Sequence, residues 1–294
     1  MGESFALLAA VVWALAVVCF KKSGEAVHPV GLNVFKNILA VLLFVPTAWL
    51  FGEVLLRPAP TTDYLMLLLS GALGIGISDT LFFISLNMLG AGRSAIVDCL
   101  YSPSIIALSI PFLGETLGGW QVAGLVVIVS AVLSIMIERH EVTRDRRHLL
   151  VGVLLGALAM FTMAVGIVLI KPLLSRSPLM WSTEIRLIGG LIVLALVLAL
   201  HPSRKNILVS IHAPQRWVYT VLGSFLGAYL SMVLWLAGMK YTQAATAAAL
   251  NQTSNIFVFV FAAFILREQI TAVRLIAIVL GVTGAFLVMF GPSL

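Results

Sequence analysis

Three acidic side chains stand inside long apolar runs of this sequence: Asp79, Asp98 and Glu184. A charge in hydrocarbon costs at least ~2.5–3.5 kcal/mol on insertion scales, so each acid needs a reason to be there. Asp98, Tyr101 and Ser102 have i, i+3, i+4 spacing and therefore share one helix face. The same stripe recurs 153 residues later as Asn251, Ser254 and Asn255. Two facing helices carrying such stripes would line a wettable hollow and bind a small polar solute through carboxylate, phenol, amide and hydroxyl groups. The alternative is interhelical hydrogen bonding that only holds the bundle together. Asp79 and Asp98 are the candidate proton carriers, since a carboxyl shielded from water can take up and release a proton during a transport cycle. For Asp79 the competing reading is a structural ion pair with Lys36. The cations within or closing the apolar runs include Lys22, Lys36, Lys171 and Arg186. Together with Glu184 they form a candidate set of ion pairs or cavity charges able to meet an anionic solute. Lys22, Lys171, Glu184 and Arg186 lie near the ends of apolar runs, so snorkelling to the headgroups also accounts for them. Trp13 and Tyr229 are candidate cavity walls, with ordinary packing as the alternative.

Other chemistry is not indicated. Cys19 and Cys99 both lie in apolar runs, with neither a disulfide framework nor metal-ligand spacing. There is no P-loop, HExxH, nucleophile elbow or GxGxxG after a strand. No cofactor, no metal and no enzymatic activity are therefore expected. A distant alternative is an intramembrane aspartyl protease. Its GxGD pattern is not met, because Ile77 and Ser78 separate Gly74-Ile-Gly76 from Asp79. A passive channel is a third class.

The elements that must position these residues are membrane spans. The chain is 61% hydrophobic and 10% charged, where a soluble domain carries about 25% charged residues. Its net charge of +6 comes from basic residues at the ends of apolar segments, which is the membrane pattern and not a nucleic-acid one. A span needs about 20 mostly apolar residues. Ten runs qualify: 4–20, 34–51, 64–87, 94–114, 119–137, 149–170, 179–200, 217–239, 244–266 and 271–290. The first lacks a small-residue cleavage site and is expected to be a span and not a removable signal. The charged stretch 138–148 separates two groups of five spans, 1–137 and 149–294. The groups resemble each other. Gly114-Glu115 matches Arg267-Glu268 at an offset of 153, while Lys36 matches Arg186 and Asp79 matches Tyr229 at 150. A repeat with an odd number of spans runs its second copy upside down, which is how many secondary transporters are built. Lys and Arg concentrate in the odd-numbered joints, which by the positive-inside rule puts both termini outside.

These features resemble the EamA-type ten-span branch of the drug/metabolite transporter superfamily. The similar elements are Trp13 and Lys22 in span 1, Lys36 leading span 2, and Leu89-Gly-Ala-Gly-Arg-Ser94 after span 3. Pro103 within span 4 and Gly114-Glu115 after it also fit. The second half repeats them as Lys171, Arg186, Thr242-Gln-Ala-Ala-Thr246 and Glu268. Lys36 departs from the family in standing where arginine is common, and Glu268 in following Arg267 where the family has glycine. The resemblance implies an all-helical membrane fold of ten helices in two inverted five-helix repeats around a central cavity. It implies a multi-pass protein of the cell membrane with both termini cytoplasmic, and paired glutamates with a structural role. The implied function is secondary transport of a small metabolite, an amino acid or other amine-bearing or amphipathic compound, by alternating access with proton coupling or exchange. The alternative is a sugar-phosphate or nucleotide-sugar exchanger. The expected partners are the solute and the lipid bilayer, with no nucleic acid, and a monomer suffices.

Overall fold

A computed structural model of the chain describes residues 2–113, 118–137, 146–174, 176–211, 216–241 and 250–290. Every regular element among them is helical. The helices are α1 (Gly2–Ser23), α2 (Pro29–Leu50), α3 (Thr61–Leu89), α4 (Ala91–Asp98 continuing as Tyr101–Leu113), α5 (Gly119–Ile137), α6 (Arg146–Leu174), α7 (Leu179–Leu200), α8 (217–241), α9 (Leu250–Ile265) and α10 (Ala272–Phe290). Seven of these, α1 to α4 and α6 to α8, are long and apolar enough to cross a membrane, while the apolar stretches of α5, α9 and α10 are shorter among the described residues. The sequence expectation of ten spans is thus met in full length by seven. A further helix, Arg204–Ile211, fills the joint after α7, where no element was expected. Helix α6 begins at Arg146, inside the stretch read as a charged connector. Residues 138–145 of that stretch, Glu115, Thr242–Thr246 and the alanine run 244–249 lie outside the described residues.

Helix packing follows residue size, because lipid and protein interior are equally apolar and hydropathy alone does not orient a helix. The buried face of α1 carries Ala6, Ala9, Ala10, Ala14 and Ala16, whereas α6 turns Leu150, Leu154, Leu158 and Phe161 outward. Helix α1 packs on α8 and α9, α6 on α3 and α4, α2 on α7, and α5 on α10. The α3–α6 contact is antiparallel and stitched by three serines. Ser70, Ser78 and Ser85 donate to the carbonyls of Gly166, Ala159 and Gly152 at 2.6, 2.8 and 2.8 Å. The α3–α7 contact is closer still. A methyl group on Gly71 would lie 1.8 Å from the Arg186 carbonyl oxygen, and one on Gly189 would lie 2.1 Å from that of Leu68.

Two helices contain a π-helical segment, Ala72–Ile77 in α3 and Phe225–Leu230 in α8, which are 153 residues apart. A π turn widens the helix and leaves carbonyls to be satisfied elsewhere, and such turns concentrate at functional sites. In that register Asp79 falls at the position of Met232 and Tyr229 at that of Gly76, whereas the sequence reading sets Asp79 against Tyr229.

The joints gather by number. His28, after α1, stacks edge-on against His201, after α7, at 5.8 Å, and Glu25 binds Arg216. The joints after α1, α3 and α9 together line a hollow of about 320 Å³ that includes Lys22, Gly90 and Glu268. At the opposite end, the joints after α2 and α6 meet through Asp63–Arg176 at 2.7 Å and through Glu53, which accepts the Trp181 backbone N–H at 2.9 Å.

Glu268 accepts the backbone N–H groups of Ala91 and Gly92 at 2.8 and 3.0 Å and so caps α4. Gly90 beside it has φ +87°, and a methyl group there would meet the glutamate. Helix α9 ends in a left-handed residue, Arg267, with φ 57°. That conformation explains why glycine is the usual residue before this glutamate in the resembled family. Arg267 is exposed, so Arg267→Gly is expected to raise stability by about 0.5–1 kcal/mol by removing the left-handed strain. A higher melting temperature of the purified variant is the readout, and an unchanged or lower one would contradict the strain argument.

Candidate functional site

The inner end of α2 presents Asn33, Lys36 and Asn37, again with i, i+3, i+4 spacing, and all three are buried. The Asn33 amide reaches the carbonyls of Ile75 and Gly76, at 3.0 and 3.1 Å, and the Thr80 hydroxyl at 3.0 Å. It thereby serves the carbonyls that the π segment of α3 leaves open. Asn37 is locked onto Asn33, donating to its side-chain oxygen at 2.7 Å. One turn from this anchor, Lys36 Nζ binds Asp79 Oδ2 at 2.5 Å and lies 5.9 Å from the Phe83 ring. Asp79 is therefore ion-paired, the structural alternative weighed from the sequence. A protease dyad needs two carboxylates sharing one proton. Asp79 is held by a lysine, and among the described residues no hydrogen bond joins it to Asp98.

Arg186 enters the same region from α7. Its Nε donates to Ser70 Oγ at 3.0 Å, and its Nη2 would sit 3.5 Å from a methyl group on Gly74. It lies within electrostatic reach of Asp79 and Tyr101, yet none of the ion pairs among the described residues includes it. The cluster of Lys36, Asp79 and Arg186 thus carries one positive charge in excess, with Tyr101 beside it.

Helices α4 and α9 meet where the two polar stripes were expected to meet. Gln252 donates to Ser102 Oγ at 2.7 Å, and Asn255 donates to Cys99 Sγ at 3.6 Å. Ser102, Ser254 and Asn255 are buried, while Asn251 and Tyr101 are half-buried. At least Ser102 and Asn255 therefore serve as interhelical bonds. Helix α4 breaks at Cys99–Leu100, immediately after Asp98. Asp98 is half-buried there, and no hydrogen bond or ion pair reaches its carboxylate among the described residues.

The remaining candidates lie elsewhere. Lys22 pairs with Glu25 at 3.7 Å in the end hollow, and Lys171 is exposed at the end of α6, so neither joins the inner cluster. Glu184, read as an ion-pair member, a cavity charge or a snorkelling end residue, joins none of the ion pairs among the described residues. It is 2% exposed, its Oε1 has no partner, and its charged neighbour is another acid, Glu53. Trp13 is half-buried and packs edge-on against Phe20 at 6.5 Å. Tyr229 bonds the Thr47 hydroxyl at 2.8 Å and packs against Phe44. Sequence reasoning missed Asn33, Ser70 and Gln252. Asn33 was detectable by the same spacing rule that singled out Asp98, applied to span 2.

The family model described as EamA-like transporter family matches residues 1–137 and 150–290. An "uncharacterized transporter" of Archaeoglobus fulgidus is 25% identical over 293 residues, covering 98% of this chain and 97% of its own length. One of Methanothermobacter thermautotrophicus is 25% identical over 276 residues, 90% of this chain and 78% of its own. A crystal structure with 19% sequence identity superposes over 97% of this chain and 94% of its own, with a TM-score of 0.65, and shares the fold.

Proposed function

Since the chain belongs to the EamA-like transporter family, we propose that it carries a small metabolite by alternating access of two inverted five-helix repeats around a solute site between α2, α3, α4, α7 and α9. It is a multi-pass protein of the cell membrane. The proposal rests on one observation above all, the pair of bonds between α4 and α9. Shifting Cys99 and Ser102 by the 153-residue offset gives Gln252 and Asn255. The bond Ser102–Gln252 then becomes Asn255–Cys99, and both are present. A contact that maps onto itself when its partners are exchanged is the signature of a two-fold axis. The α5–α10 seam behaves in the same way. Gly281 lies against Ala131 and Gly284 against Ile128, again related by 153 residues with partners exchanged. Packing of α1 on α8 and α9, mirrored by α6 on α3 and α4, supports the same exchange. The grouping of odd-numbered joints at one end supports a crossing by every helix, including the three shorter ones, so that ten spans with an odd-numbered repeat make the axis lie in the membrane plane.

The solute in this reading is an amino acid or a similar amine-bearing or amphipathic metabolite. Its amine faces Asp98, while Tyr101 and Asn251 contribute hydrogen bonds. Asp98 lacks a cation partner, which makes it the acid free to exchange a proton with the solute or with either aqueous phase. Arg186 favours a second reading, a phosphate-bearing solute such as a sugar phosphate. Asp98→Asn removes the exchangeable proton and keeps the shape. Purified Asp98→Asn in proteoliposomes is expected to lose the pH dependence of solute flux, with the rate falling about 100-fold or more if the proton step is obligatory. Flux and pH profile equal to wild type would remove Asp98 from coupling and binding.

A further inference from the structure

We propose that Arg186 is an anion receptor: the solute must present a carboxylate or phosphate, which docks on the outer edge of this guanidinium. The inference deepens the reading of the inner site as the transport site and rests on it. A guanidinium has five N–H donors in a fixed fork. In Arg186 only Nε is engaged among the described residues, by Ser70 Oγ, whose own proton goes to the Gly166 carbonyl. Ser70 is buried in the α3–α6 seam and fixes the arginine through Nε, not through the two terminal nitrogens. Among the described residues no hydrogen bond reaches those nitrogens, so the space beside them is where a solute group would dock. Small residues clear the approach, since Gly74 adds no side chain beside Nη2.

Charge decides what this space accepts. Lys36 and Asp79 neutralise each other at 2.5 Å, which leaves Arg186 as the uncompensated member of the cluster. A cation inside a membrane protein without a counter-ion is costly. A planar, two-oxygen anion removes that cost, because carboxylate and phosphate match the fork in a bidentate manner. A purely cationic solute, such as a polyamine, would add to the excess and is disfavoured. An amino acid satisfies both ends, with its carboxylate on Arg186 and its amine toward Asp98.

The test is binding to the detergent-purified full chain, read by thermal shift at constant ionic strength with succinate, inorganic phosphate and putrescine as probes. A ligand that binds only the folded state raises the melting temperature. Succinate or phosphate is expected to raise it saturably, and putrescine is not. Arg186→Gln is expected to weaken anion binding by about tenfold or more, and Arg186→Lys by an intermediate factor, because lysine keeps the charge and loses the fork. If Arg186→Gln does not fold, Ser70→Ala decides. It keeps the charge, frees the guanidinium from its anchor, and is expected to weaken anion binding by a few-fold, roughly one hydrogen bond's worth. The proposal is overturned if no anion produces a shift, if putrescine produces the larger one, or if anion binding is the same in wild type, Arg186→Lys and Ser70→Ala. Proteoliposome flux separates the two claims. Anion binding through Arg186 without any flux would defeat the transport reading alone. Flux of cations that is indifferent to Arg186 would defeat the anion receptor alone.

Discussion

Gly71→Ala is expected to yield little or no folded protein, with a loss of more than about 3 kcal/mol in whatever fraction folds, beyond the ordinary range for overpacking. The added methyl group would sit 1.8 Å from the carbonyl oxygen of Arg186. The obstacle is backbone, and no rotamer change moves it. Helices α3 and α7 would have to separate, which would also open the Gly189–Leu68 contact, because that pair closes the same crossing one turn away. Separation carries Arg186 away from Ser70 and unseats the inner cluster. Expression, monodispersity in detergent and melting temperature provide the measurement. Gly119→Ala is the control, since a methyl group there meets nothing within 4 Å, and it is expected to behave like wild type. A well-folded Gly71→Ala variant with an unshifted melting temperature would mean that the helices are not in backbone contact there.

That crossing shows what the sequence discloses and what it hides. The apolar runs were legible because a spanning helix must satisfy its own backbone and so stays apolar for its full length. The proposed repeat is read from polar residues alone, since lysine, arginine and aspartate are rare enough in spans for their spacing to carry information. Lys36 and Arg186 recur at an offset of 150 and the Asp98 and Asn251 stripes at 153. Faces were not legible. Phe161 is equivalent in hydropathy to a cavity-wall aromatic, yet it lies on the exposed stripe of α6 with Leu154 and Leu158. In lipid both faces are apolar, and only residue size separates them. The two π segments were hidden for another reason. Phe225–Leu230 carries only one glycine, and a 3.6-residue reading registers no change when one turn widens. The ion pair of Asp79 was a weighed possibility, whereas the neighbour of Glu184 was not legible, because Glu53 comes from a joint that folds back over the start of α7, where sequence proximity gives no hint.

The inner ion pair yields the second large effect. Lys36→Met is expected to lower stability by about 3–5 kcal/mol, because Asp79 keeps its charge and loses the one cation at hydrogen-bond distance among the described residues. Asp79→Leu is expected to cost a comparable amount, since it strands Lys36 beside Arg186 and places two cations in one apolar crossing. Their side chains are 7% and 14% exposed, so water recovers little of either loss. The double variant Lys36→Met/Asp79→Leu is expected to recover most of the stability, as buried pairs replaced by apolar groups of similar size are often neutral or better. The three melting temperatures together with wild type form a double-mutant cycle. Additive losses would show that the two groups are solvated separately and that the 2.5 Å contact contributes nothing. A strong coupling would instead isolate Arg186 as the charge the bundle leaves open. The recovered double variant should then keep succinate binding in the thermal-shift assay, because neither substituted residue supplies the fork that holds the anion.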